Sequence, residues 1–383
     1  MIHFTKEQHY RDTWAEVNLD AIRHNVRAVR ACVGLDTLIM AVVKANAYGH
    51  GASPVAKAAI EAGANYLGVA TLDEAIALRG AGIERPILVL GYVSGEYAIV
   101  AARQGIVLTV VGLQHAQELV AKFPRGQAID LHVHLKLDTG MGRLGVRTAD
   151  ELAMEVEAIS AHPSIYIDGA FTHFAQADSA DKTYTMQQLQ QANERFCALR
   201  NTLGLNNAES LILHAANSAA ILQFPDSYLN MVRLGISLYG VYPSSEVNRD
   251  RITLRQALTM YTRIAYCKVV PPGTSVSYGR TFITKQTMKV ATLPVGYADG
   301  YHRSLSNRGY AVVRGVKCPI VGTICMDQTM INVSQVDGVE AGEVVTIYDE
   351  QTLPELADLA QTIPYELLCS ISPRVPRRYV EDD

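Results

Sequence analysis

Through its first two-thirds the chain alternates short apolar runs with stretches of helical periodicity, and this alternation limits the fold more than any other feature. The runs fall at residues 37–43, 66–70, 86–90, 106–111, 129–137, 165–172, 211–214 and 231–237. Val- and Ile-rich runs of this kind suit strands covered on both faces, as in a parallel sheet flanked by helices. Their repetition predicts βαβ units. A further run, Trp14-Ala15-Glu16-Val17-Asn18-Leu19, precedes a helix expected to start at an Asp20 cap and to run towards Cys32. Its polar alternation is poor for an all-buried strand, so it is assigned to another sheet. Eight strands remain, and the expected fold is a (β/α)8 barrel of the TIM type. A doubly wound sheet fits less well, because no Gly-x-Gly-x-x-Gly follows the first strand.

Beyond about Val247 the texture changes. Strand-like runs at 254–270, 288–295, 310–313, 319–323, 329–333 and 344–348 are separated by turns such as Pro271-Pro272-Gly273 and Asp337-Gly338. This predicts a mainly antiparallel β domain that ends in a helix near 354–362. The expected division is a barrel over 1–246 and a β domain over 247–383, with the strand at about 12–19 joining the β domain.

Composition narrows the class. A hydrophobic fraction of 49 % with 19 % charged residues describes an ordinary globular enzyme or binding protein. The formal net charge of −4 argues against a nucleic-acid backbone or an anionic membrane as partner. Cys32, Cys197, Cys267, Cys318, Cys325 and Cys369 are scattered without metal-type spacing, as expected of reduced thiols in the cytoplasm. The opening residues lack a signal-peptide core, and no apolar run approaches the ~18 residues of a membrane span. His132 and His134 have no third ligand at convincing spacing, so they are read as structural and no metal is expected.

The first barrel strand ends in Lys44 and runs into Ala45-Asn46-Ala47-Tyr48-Gly49-His50-Gly51. A lysine at a buried strand end has a partly desolvated amine, which favours the neutral, nucleophilic form. On chemistry alone a solvated lysine at a strand-to-helix loop is the commoner case. The whole stretch Ala41–Gly51, however, resembles the cofactor-lysine motif of alanine racemases, and further matches extend from Trp14 to Arg377. The resemblance implies that Lys44 carries pyridoxal 5'-phosphate as a Schiff base.

The same resemblance implies the other site residues. Tyr48, Ser218, Gly235, Ile236 and Tyr365 would hold the phosphate, consistent with a barrel's habit of binding phosphate after strands seven and eight. Arg233 would face the pyridine nitrogen; a guanidinium keeps its proton, so the nitrogen would stay unprotonated and the ring would be a weaker electron sink. Arg143, set among the glycines of Thr139–Gly145, would meet the cofactor's phenolic oxygen and the substrate carboxylate. His173 would lie against the cofactor ring. Lys136 matches a lysine that many relatives carry as a carbamate; composition alone makes it a strand end paired with Asp138, and both readings stand. Tyr278, in Ser275-Val276-Ser277-Tyr278-Gly279-Arg280, would be the second catalytic residue, and Met326 would touch the substrate carboxylate. Relatives often have an arginine two positions before Cys325, where this chain has Thr323.

The function implied is interconversion of L- and D-alanine, supplying D-alanine for peptidoglycan, with Lys44 and Tyr278 as acid and base on opposite faces. A head-to-tail homodimer with sites shared between subunits is also implied. The rivals are a racemase of another small amino acid such as serine, which Tyr365 disfavours only by narrowing the pocket, and a decarboxylase of the same architecture. The decarboxylase would be expected to place an acidic residue where this chain has Arg233.

Overall fold

A computed structural model describes residues 10–126, 128–204 and 211–382. The chain divides into two compact units. One comprises Ile22–Ala47 and Ala52–Arg255; the other comprises the described residues up to Ala21, Tyr48–Gly51 and the chain from Gln256 onward.

The first unit is built on eight parallel strands: β2 (Leu38–Val42), β3 (Tyr66–Val69), β4 (Ile87–Val89), β5 (Ile106–Val110), β6 (Leu131–Lys136), β7 (Ile165–Phe171), β8 (Ile212–His214) and β9 (Met231–Leu234). They lie in the order β8-β7-β6-β5-β4-β3-β2-β9, with every ladder parallel. The ends of this order are bridged by backbone bonds from Asn230 to the Leu213 carbonyl (3.1 Å) and from Arg233 to the Ala216 carbonyl (2.9 Å), so the sheet is nearly closed. β3, β4, β5 and β9 are buried at every position, as continuous apolar runs require. Some of the intervening helices start on side-chain caps. Thr71 with Glu74 and Thr148 with Glu151 form capping boxes at Leu72–Gly80 and Ala149–Ser160.

The second unit holds a six-stranded sheet in the order β16-β15-β18-β10-β1-β19, a three-stranded sheet β11-β14-β17 and a hairpin β12–β13. These strands are β1 (Thr13–Asn18), β10 (Leu258–Arg263), β11 (Tyr266–Val270), β12 (Ser275–Val276), β13 (Phe282–Ile283), β14 (Met288–Leu293), β15 (Tyr310–Val313), β16 (Val316–Pro319), β17 (Thr329–Asn332), β18 (Val344–Tyr348) and β19 (Arg377–Val380). β1 pairs antiparallel with β10 and parallel with β19. The strand at Trp14 therefore belongs to this sheet, as its polar alternation indicates.

Four local expectations change. The run 254–270 is two strands in two sheets: Ile264 donates to the Glu343 carbonyl and Ala265 to the Thr292 carbonyl, so the chain changes partners between them. The strand expected at 319–323 ends at Pro319. Past that residue the chain leaves β15 for β17, with Val321 donating to the Met330 carbonyl. The helix after β1 is capped not by Asp20 but by Asn18, whose side chain accepts from the Ala21 N–H at 2.9 Å. The terminal helix (Thr352–Ala360) is followed by a second, Pro364–Ser370, that the periodicity did not show.

Candidate functional site

Lys44 follows the carboxyl end of β2 and is half-buried. The next residues form a left-handed turn without glycine: φ is 51°, 52°, 54° and 50° at Ala45, Asn46, Ala47 and Tyr48. For L-residues this costs about 1–2 kcal/mol each, so surrounding bonds must hold it. The Ala45 N–H donates to the Glu74 carboxylate (2.6 Å), the Ala47 N–H to the Val43 carbonyl (2.8 Å), and the Asn46 side chain accepts from Ala52 (2.9 Å). The Tyr239 hydroxyl fixes the Val42 carbonyl at 2.9 Å. Lysine placement is thus set on both sides of its Cα by backbone that cannot readily shift.

Arg233, on β9, is 3 % exposed and makes a dense set of bonds. It donates to the carbonyls of Thr172 (2.7 Å) and Ala215 (2.9 Å) and to the Nδ1 atoms of His214 (2.9 Å) and His173 (3.1 Å). A guanidinium has only donors, so both imidazoles must present a bare Nδ1 and carry their proton on Nε2. His214 Nε2 lies 2.9 Å from His134 Nδ1. The proton is therefore given by His214, and His134 too is the neutral Nε2–H tautomer. Its Nε2 is buried without a partner among the described residues. The close approach is possible because Gly169 has no side chain: a Cβ there would sit 2.9 Å from the His134 ring. Burial holds His134 neutral, down to about 3. Burial, then the charge of Arg233, keeps His214 well below the usual imidazole value.

Positive charge is in surplus around this point. Burial first, then the charges of Arg233, Arg143, Lys136 and Lys44, push His173 well below its ordinary value. Lys136 is 4 % exposed and is lowered to about 7, by burial first and then by Arg233, with Arg143 adding and Asp138 opposing. Its amine donates to the Leu137 carbonyl at 2.7 Å and lies over the Phe171 ring, which Arg233 also faces and on which His214 stacks. Asp138 instead accepts from the N–H groups of Gly140 (3.0 Å) and Gly142 (2.9 Å), shaping the loop that carries the exposed Arg143.

After β8, Asn217 caps the short helix Ser218–Gln223, accepting from Ala220. The Ser218 oxygen accepts from the N–H groups of Gly235 (2.9 Å) and Ser237 (3.3 Å), and its own proton remains to be given to an acceptor. Ile236, between them, is buried. The Ser218 hydroxyl, whose oxygen holds the Gly235 and Ser237 amides and whose proton is left to give, suits a phosphate ester as a donor.

The other expected residues lie in the β unit. Tyr48 and Tyr365 rings are 6.1 Å apart. The chain following Tyr48 passes close to the helix that carries Tyr365: Gly49 (φ +83°) could not bear a Cβ, which would meet the Leu368 carbonyl at 2.2 Å. Tyr278 opens a short 3-10 turn between β12 and β13 and is 73 % exposed; Met326 is 53 % exposed. His132, grouped with His134 in the sequence, is a separate exposed residue bonded to Asp168 at 2.8 Å. Among the described residues no cluster of His, Cys, Asp and Glu could hold a metal.

A strand-end lysine, a carboxylate-poor set of cations and a hydroxyl with a proton to give are what a barrel enzyme acting on an anionic organic ligand requires. Residues 17–243 match the family model of the alanine racemase N-terminal domain, and 257–379 match that of the C-terminal domain. The chain is 46 % identical to alanine racemase 2 of Caldanaerobacter subterraneus subsp. tengcongensis, over 97 % of this chain and 95 % of that one. It is 45 % identical to the alanine racemase of Desulforamulus reducens, over 96 % and 98 %. The crystal structure of alanine racemase from Bacillus anthracis with bound L-Ala-P superposes with a TM-score of 0.91 at 40 % identity, covering 97 % of this chain and 95 % of that one. The chain belongs to the alanine racemase family, whose members are pyridoxal-phosphate-dependent isomerases, and its reaction is the interconversion of L- and D-alanine.

Two residues of the buried relay escaped sequence reading. Nothing in the sequence gives His214 a role, and His134, read as structural, is a buried imidazole bonded to His214. The only sequence signal was an imidazole in an otherwise apolar strand end. The relay predicts a spectrum: in 15N–1H correlation, His214 and His134 should both keep a bare Nδ1 and a protonated Nε2 through the neutral range. A doubly protonated His214 near neutrality would contradict the assignment.

Proposed function

We propose that pyridoxal 5'-phosphate is the cofactor, held covalently by Lys44. In this reading Ser218, the backbone at Gly235 and Ile236, and the phenols of Tyr48 and Tyr365 take its phosphate. Arg233 meets its pyridine nitrogen, and His173 lies against its ring. Arg143 takes the phenolic oxygen and the substrate carboxylate, to which Met326 is also adjacent. The observation that carries the reading is the cation surplus acting on His173 from Arg233, Arg143, Lys136 and Lys44, which an anionic cofactor and a carboxylate substrate would balance. When bound, the cofactor supplies delocalisation of the α-carbanion.

The protein's own part is orientation and proton transfer. Lys44 Nζ takes or gives the α-proton on the D face, and the Tyr278 phenolic oxygen does so on the opposite, L face. Each must come within hydrogen-bond reach of one carbon. Arg233 keeps its proton even though burial draws it down to about 9, so it offers the ring nitrogen a donor and cannot protonate it.

Lys136 is proposed to be carbamylated. Only a neutral amine attacks carbon dioxide, and an amine lowered to about 7 is substantially neutral at physiological pH. The product carries a negative charge beside Arg143 and Arg233. In 13C-bicarbonate the enzyme should show a carbamate resonance that is lost in Lys136→Met; its absence from the wild-type protein contradicts the proposal.

Assembly is proposed as a twofold homodimer in the cytoplasm, with the barrel unit and the β unit as its two functional domains and D-alanine delivered to peptidoglycan. The exposure of Tyr278 and Met326 in one chain supports a site completed by a partner subunit. No helix among the described residues is long and apolar enough to cross a membrane. Mixing inactive Lys44→Ala and Tyr278→Phe protomers tests both catalytic roles and the sharing together. Random re-pairing makes about half the dimers mixed, each with one intact site, so activity should recover to roughly a quarter of wild type. Absent activity despite demonstrated subunit exchange would overturn the shared site.

A further inference from the structure

The turn that presents Tyr278 is held in backbone conformations that side-chain-bearing residues avoid. Ser277, just before it, has φ 65° and ψ −177°, a region occupied essentially by glycine alone. Gly279 (φ 71°) and Arg280 (φ 51°) follow in positive φ. Such a turn keeps its shape only where the surroundings over-determine it.

The surroundings are polar and directional. The Thr323 hydroxyl donates to the Tyr278 carbonyl at 3.1 Å, and the Ser277 hydroxyl donates back to the Thr323 carbonyl. Thr323 Oγ1 is also 3.3 Å from Thr281 Oγ1. Thr323 has one proton and has given it to Tyr278, so Thr281 is the donor of that pair. Thr281 in turn accepts from Asn307 Nδ2 at 3.0 Å. The orientation of the Asn307 amide is fixed because its oxygen accepts from the Gly322 N–H at 2.6 Å. The chain of donation therefore runs one way, from Asn307 through Thr281 and Thr323 to Tyr278, and such chains polarise one another. Gly322 (φ +86°) lets the segment carrying Thr323 come this close, since a Cβ there would lie 2.7 Å from the Val276 carbonyl.

We propose that Thr323 is a positioning residue for the racemase, clamping the strained Tyr278 turn as the last donor of the Asn307–Thr281–Thr323 relay. Thr323 is 7 % exposed, whereas the Tyr278 side chain is 73 % exposed, so the buried hydroxyl fixes the backbone while the phenol stays available to substrate. The inference rests on the proposed role of Tyr278 as the L-face proton carrier. Its chemistry makes a selective demand. A turn that loosens displaces only the Tyr278 step and leaves the Lys44 step alone.

The test uses holoenzyme Thr323→Val, which keeps shape and removes the hydroxyl. L- and D-alanine are isoenergetic, so kcat/KM should fall equally in both directions, by roughly tenfold for a small misplacement. The discriminating readout is the primary isotope effect. It should rise with α-deuterated L-alanine and not with α-deuterated D-alanine, at unchanged cofactor absorbance. Thr323→Ser should restore both isotope effects. Thr281→Val should show the same pattern more weakly, and adding it to Thr323→Val should do no further harm. Wild-type isotope effects in Thr323→Val, or an equal rise with both substrates, would overturn the proposal. If Tyr278→Phe itself left the L-alanine isotope effect and rate unchanged, the role of Tyr278 would fail instead, which is a separable result.

Discussion

The barrel site depends on one buried cation with no carboxylate partner among the described residues. Arg233 is placed among two carbonyls and two imidazoles, all neutral acceptors. Unpaired buried charge is costly, so these bonds are obligatory and not ornamental. They dictate the tautomers of His173, His214 and His134 in turn, and they explain why Gly169 stands where a side chain would displace the His134 ring. Arg233 also lies over the Phe171 ring, with Lys136 nearby and His214 stacked on it, so the packing and the charge pattern form a single arrangement. The proposed cofactor, with its phosphate and phenolate, would balance this local positive charge.

Much of this was legible before any coordinates. The eight barrel strands could be placed because each is an apolar run covered on both sides, and the ninth could be excluded by its polar alternation at Glu16 and Asn18. The candidate site residues stand out in the sequence through resemblance, not spacing: Ser218 alone reads as an ordinary helix start, and Arg233 alone as a surface charge. What stayed hidden has physical causes. The change of sheets at Ile264 and Ala265 is hidden because strand-forming residues run through 258–270 with no Gly or Pro to mark a break. The left-handed turn at Ala45–Tyr48 contains no glycine to announce it. It exists because Glu74 and Asn46, neither marked by local propensity, hold it from outside.

The β unit follows a similar logic. Its catalytic candidate sits on a turn that local preference would reject, and bonds between Thr323 and the Ser277–Tyr278 pair make that turn tenable. In both units, then, the reactive side chain is carried on backbone whose shape is imposed by neighbours. Rigid placement matters for a two-base reaction, since each group must meet the same carbon from its own face.

The proposed role of Arg233 is to withhold a proton from the ring nitrogen of the bound cofactor, which would favour racemisation over transamination. The most direct measurement is the number of transamination events per racemisation turnover in Arg233→Glu, counted on protein of matched cofactor content. This ratio should rise as racemisation slows. A ratio equal to that of the wild-type enzyme would contradict it.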